Sequence, residues 1–111
     1  MVVTRTQQGS VTVLAVQGAI VEEDMHTLET ELERCFASGV VRIVLELRQV
    51  QFIDSAGLER IQNLVAEVGK RGGDVRICGL NEICRDIFIC TRMESLVQVF
   101  DDRESAVRSL L

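Results

Sequence analysis

Apolar positions along the chain switch repeatedly between short strand-like runs and helical spacing. Val2 to Thr6 and Val11 to Gln17 read as two strands joined at Gln7-Gln8-Gly9-Ser10, a turn-rich connection that predicts an antiparallel hairpin. Met25, Leu28, Leu32, Cys35 and Phe36 follow at helical spacing, with Glu29, Glu31 and Glu33 among the outward positions and Gly39 as the stop. Arg42 to Leu47 is a β-branched and aliphatic run that reads as a buried strand, after which Leu58, Ile61, Leu64, Val65 and Val68 return to the helical period. Beyond Gly72-Gly73 the pattern predicts a strand over Asp74 to Cys78 and a shorter helix through Ile83, Cys84, Ile87 and Phe88. A short strand from Leu96 to Val99 and a terminal helix from Ser105 to Leu111 complete it. Such strand-helix-strand units require right-handed crossovers and a largely parallel sheet covered by helices. No linker, repeat or low-complexity segment interrupts them, and without proline the glycines supply the punctuation.

The junction Phe52-Ile53-Asp54-Ser55-Ala56-Gly57-Leu58 carries the candidate chemistry. It places a serine hydroxyl at the mouth of a strand-to-helix turn, where free N–H groups and the helix dipole tolerate an added phosphate. Asp54 or Ser55 also suits a plain helix cap. Against that stands the lack of a capping box, since Gly57 and Leu58 occupy the positions where Glu or Gln would complete one. Gly57 in the first helical turn costs about 1 kcal/mol relative to Ala, which a close backbone approach would explain. The residues alone leave a cap and a functional serine both open.

Composition narrows the function classes. At 111 residues and 47% hydrophobic content the chain is one domain, 1–111, long enough to bury a core. A formal charge of −5 opposes direct nucleic-acid binding, and with phenylalanine the only aromatic type there is no stacking platform for single strands. No signal-peptide core and no membrane-length apolar run occur, so the reading is cytoplasmic with no membrane insertion. Cys35, Cys78, Cys84 and Cys90 lack Cys-x-x-Cys spacing and one histidine completes no common zinc site, so no metal and no cofactor are expected and the thiols read as core or inert.

The Asp54-Ser55-Ala56-Gly57-Leu58 stretch resembles the D-S-x-G-L signature of STAS domains, the bacterial anti-sigma factor antagonists. The likeness extends through Gly18, Arg42-Ile43-Val44-Leu45, Gly72-Gly73 and the tail from Thr91 to Phe100, with Ala106 and Leu110 in the register of the family's last helix. It implies an α/β fold: a single STAS-like domain with a mixed, mostly parallel β-sheet, an N-terminal antiparallel hairpin and about four covering helices. It also implies a non-enzymatic binding module. An anti-sigma factor with serine kinase activity would phosphorylate Ser55, a serine phosphatase would reverse this, and the unmodified form would release a sigma factor. The implied partner face comprises Asp54, Ser55, Ala56, Gly57, Glu59 and Asn63, with the acidic run Glu22-Glu23 as a negative rim; Gly57 would admit close backbone approach. Val21 stands where an acidic residue is common, Ala56 where a second Ser or Thr is frequent, and Glu59-Arg60 where Gly and an apolar residue are frequent. These departures bear on partner identity rather than fold. A STAS subunit of a membrane transporter complex or of another signalling assembly, not switched at Ser55, is the alternative.

Enzyme readings lack their parts. A hydrolase nucleophile elbow needs glycine two before the serine, where Ile53 stands, and its histidine comes last, whereas His26 precedes Ser55. A receiver domain with Asp54 as phosphoacceptor lacks the acidic pair after its first strand, and the only lysine, Lys70, lies on a helix tail.

Overall fold

The computed structural model describes every residue, Met1–Leu111. Strands β1 (Val2–Gln8) and β2 (Val11–Gln17) pair antiparallel, from Val2 opposite Gln17 to Gln8 opposite Val11. Gln7 and Gln8 join the ladder, so the hairpin connection shrinks to Gly9-Ser10. β3 (Arg42–Gln49), β4 (Asp74–Cys78) and β5 (Gln98–Phe100) then add in parallel, giving a five-stranded sheet in chain order. Helices α1 (His26–Ala37), α2 (Ser55–Lys70), α3 (Glu82–Cys90) and α4 (Arg103–Arg108) connect or follow the parallel strands.

Strand side chains alternate between two faces, and the helices divide accordingly. Leu14, Ile43, Leu45 and Ile77 meet Leu28, Leu32, Ile61, Leu64, Val68, Cys84 and Phe88 in the main core, which α1, α2 and α3 cover. Val11, Val13, Val44 and Cys78 point the other way, against Ala106, Val107 and Leu110 at the chain's end. The strictly alternating burial of Ile43, Val44 and Leu45 in two separate clusters is why β3 reads as a continuous apolar run rather than a half-polar one.

Other element boundaries also differ from the sequence pattern: β3 runs on to Gln49 and α4 stops at Arg108. Glu22–Asp24 form a separate 3-10 turn, and α1 begins only at His26. Met93–Ser95 form a second 3-10 turn in which the Val97 N–H donates to the Met93 carbonyl at 3.2 Å, keeping Leu96 and Val97 out of the ladder until Gln98 pairs with Arg76. The last helix starts at Arg103 instead of Ser105 because the Asp102 carboxylate accepts the Ser105 amide at 2.7 Å and so fixes the cap.

All these crossovers leave the C-terminal ends of β2 and β3, the start of α2 and the start of α3 at one end of the sheet. There an isolated parallel bridge between Ile20 and Ile53 prolongs the β2–β3 pairing; the Ile20 N–H donates to Phe52 and the Asp54 N–H to Ile20. The Phe52–Ser55 turn is thereby held as an extension of the sheet.

Candidate functional site

Asp54 is the N-cap of α2. One carboxylate oxygen accepts the Gly57 amide at 2.8 Å and the other accepts the Glu22 amide at 3.0 Å, so a single side chain closes the helix and tethers the 3-10 turn. These backbone donors, Gly57 first and Glu22 next, hold the carboxyl below the usual aspartate range. Asp54 is thus bonded to backbone on both sides of the turn, and no hydrogen bond joins its carboxylate to the Ser55 hydroxyl.

With capping assigned to Asp54, Ser55 is the first residue of α2 and is exposed. Its side chain opens onto a groove of about 640 Å³ whose walls are Leu58, Gln62 and Ala66 on α2 and Thr91, Met93 and Leu96 after α3. A second cleft, of about 290 Å³, lies between α2 and the Glu22–Asp24 turn and is lined by Glu22, Met25, Ala56 and Arg60. Glu59 and Asn63 line both and form the ridge between them. Arg60 is taken up internally, bonding Glu29 of α1 and, at 3.2 Å, Glu67.

Of the residues singled out by sequence, Ser55, Ala56, Glu59, Asn63 and Glu22 come together around these two clefts, with Asp54 beneath them. Glu23 is exposed on the same 3-10 turn but lines neither cleft. Gly57 is a correction. It is buried, and the close approach it permits is intramolecular: a Cβ there would stand 2.9 Å from the Ile20 and Ile53 γ2 methyls and closer still to the Ile20 carbonyl oxygen. Gly57 admits the chain's own β2 extension, not a partner's backbone.

The sequence pattern missed Thr91, Met93 and Leu96, since they reach Ser55's groove only through the fold of the β4–β5 crossover. It also passed over Asn81. That residue caps α3 by accepting the Cys84 amide at 2.7 Å, and its side-chain amide donates to the Val50 carbonyl at 3.2 Å and the Gln51 carbonyl at 3.4 Å, fastening the loop that leads to Ser55. An Asn ahead of the Ile83-Cys84 helical pattern was the available signal for the cap; nothing local marked its reach to the loop. No three His, Cys, Asp or Glu side chains gather into a metal-ligand cluster. No helix is long and apolar enough to cross a membrane.

The chain is thus a five-stranded mixed sheet with an N-terminal hairpin and a serine at the start of the helix after its central strand. Comparison with known proteins makes this specific: a STAS domain profile matches residues 2–106, and the chain belongs to that family. BtrV of Bordetella bronchiseptica, provisionally described as an anti-sigma factor antagonist, is 28% identical over 94 residues, covering 85% of this chain and 81% of BtrV. Among solved structures, an anti-sigma factor antagonist from Mycobacterium paratuberculosis superposes with a TM-score of 0.89 at 19% identity, covering 98% of this chain and 92% of the other. The Bacillus cell fate determinant SpoIIAA in its phosphorylated form has a TM-score of 0.74 at 13% identity, covering 97% and 99%. The two structures establish likeness of fold.

Proposed function

We propose that this chain is an anti-sigma factor antagonist acting in the cytoplasm, a binding module without catalysis of its own, switched by phosphorylation of Ser55. The observation that carries this reading is the division of labour at the α2 terminus: Asp54 does the capping and leaves Ser55 exposed at the end of a groove of about 640 Å³. The family membership and the names of the relatives support it. The partner is an anti-sigma factor with serine kinase activity that supplies ATP, Mg²⁺ and the catalytic base; a serine phosphatase restores the free form.

Modification is tolerated by the fold and not by the complex. A phosphate adds about −1.5 to −2 charges. At a helix N-terminus that is stabilising by about 0.3–1 kcal/mol. Facing a partner, and one helical turn from Glu59, the same charge must be desolvated beside a like charge on its own helix, which breaks the complex.

The test begins with a Ser55→Ala pull-down from native lysate to isolate the kinase. Incubation of the wild-type protein with that kinase and ATP should add one phosphate, on Ser55 by fragment mass spectrometry. Ser55→Asp should lose affinity with little change in melting temperature, and Ser55→Ala should bind and resist inactivation by ATP. Phosphate on Ser10, Ser38 or Ser95 instead, or wild-type binding by both variants, sinks the reading.

A further inference from the structure

Two large apolar side chains stand exposed where α3 is fastened to the loop before Ser55. Phe52 is 47% exposed and Ile83 59%. They flank one junction, because Asn81 donates to the Val50 and Gln51 carbonyls and the Cys84 thiol lies 3.6 Å from the Val50 oxygen. Phe52 follows Gln51, and Ile83 lies between Asn81 and Cys84. Both are held on anchored backbone rather than on a free loop, so burying them against another surface forfeits little chain entropy.

Neither residue lines the Ser55 groove or the cleft beside it. The surrounding charge selects the occupant. Glu82 and Asp86, on either side of Ile83 in the first turns of α3, take part in none of the chain's ion pairs. Two copies of such a face repel each other, and an anionic lipid surface is repelled too. A protein surface carrying an apolar recess among Lys and Arg side chains satisfies both features at once.

We infer that Phe52 and Ile83 form a two-point apolar anchor, rimmed by uncompensated carboxylates, that docks the basic surface of the same protein that phosphorylates Ser55. This rests on the switch reading but assigns a different task to different residues: the anchor supplies standing affinity, and Ser55 decides whether it can be used. Binding energy concentrates in a few well-packed, desolvated residues near the centre of an interface.

The kinase recovered by the Ser55→Ala bait is titrated against Phe52→Ser, Ile83→Ser and, as a control of equal character, Ile89→Ser, which is 48% exposed at the opposite end of α3. Phe52→Ser and Ile83→Ser should each weaken binding about tenfold or more, as truncated hot spots do. They should raise the KM for Ser55 phosphorylation with kcat unchanged, and Ile89→Ser should match wild type. Thermal melts of each variant separate lost contact from lost fold, and Ile83→Ser keeps the test decisive if Phe52→Ser is unstable. Wild-type affinity in both variants while Ser55→Asp fails to bind overturns the anchor and leaves the switch standing; retained binding by Ser55→Asp with loss in the anchor variants does the reverse. Self-association of the protein in sedimentation, abolished by Phe52→Ser, assigns the face to a second copy and overturns the proposal.

Discussion

The Asp54 carboxylate and the Glu22 amide are hydrogen-bonded at 3.0 Å across 32 residues of sequence, while the same carboxylate caps α2 through Gly57. Two segments that frame Ser55 therefore share one fastening. Asp54→Asn separates its two duties: the amide oxygen still accepts from Gly57, but its NH₂ group cannot accept from Glu22. Amide hydrogen exchange should show Gly57 protected and Glu22 exposed in that variant, and both exposed in Asp54→Ala. Retained protection at Glu22 in Asp54→Asn contradicts the tether.

Acid sensitivity follows from the same kind of bond. Backbone amides hold Asp54 and Asp102 below their ordinary range, and the Arg103 guanidinium, donating to Glu46 at 2.8 and 3.1 Å, does so for Glu46. A depressed carboxyl stabilises the fold above its unfolded value, about 4, and that stabilisation disappears as pH falls through the folded value. Urea midpoints should hold steady near neutrality and fall below about pH 4, with a shallower fall in Asp102→Asn and Glu46→Gln. An unchanged slope in both variants rules out Asp102 and Glu46 as the source.

Two glycines of α2 should respond oppositely to alanine. At Gly57 the added methyl meets the Ile20 carbonyl and the Ile53 side chain, and such overpacking costs about 1–3 kcal/mol, at the upper end where the neighbour is backbone. At Gly69 nothing lies within 4 Å of the added carbon, so Gly69→Ala should gain about 0.4–1 kcal/mol. Chemical denaturation measures both; a neutral Gly57→Ala removes the argument that this glycine is required by its own fold.

Thiol reactivity should be confined to one residue. Cys35, Cys78 and Cys84 are buried and Cys90 is exposed. Burial raises all three buried thiols, Cys78 to about 11. A disulfide reagent near neutral pH should titrate one fast thiol in the native protein and all four in denaturant. Cys90→Ser should abolish the fast phase; a second fast thiol in that variant means the core around the buried three is open.

The fold class was legible in the sequence because its signal is periodic. Ile43 to Leu47 reads as a buried strand from local pattern, and Leu58, Ile61, Leu64 and Val68 as one helical stripe, whatever surrounds them. Asp54-Ser55 at the strand-to-helix junction was legible for the same reason, as a cap or a site. Which of the two residues caps was decided by the carboxylate's local reach to the Gly57 amide, whereas its second bond, to Glu22, exists only once the β2 extension lies beside the turn. Gly57 likewise signals close approach from sequence alone, but that its neighbour is Ile20 follows from the parallel bridge between Ile20 and Ile53. The wall formed by Met93 and Leu96, and Asn81 fastened to Val50 and Gln51, depend on packing between residues some thirty positions apart. Hydrophobic periodicity records which face of an element is buried; it carries no information about which distant element supplies the neighbour, and that neighbour is what turns an exposed serine into a framed site.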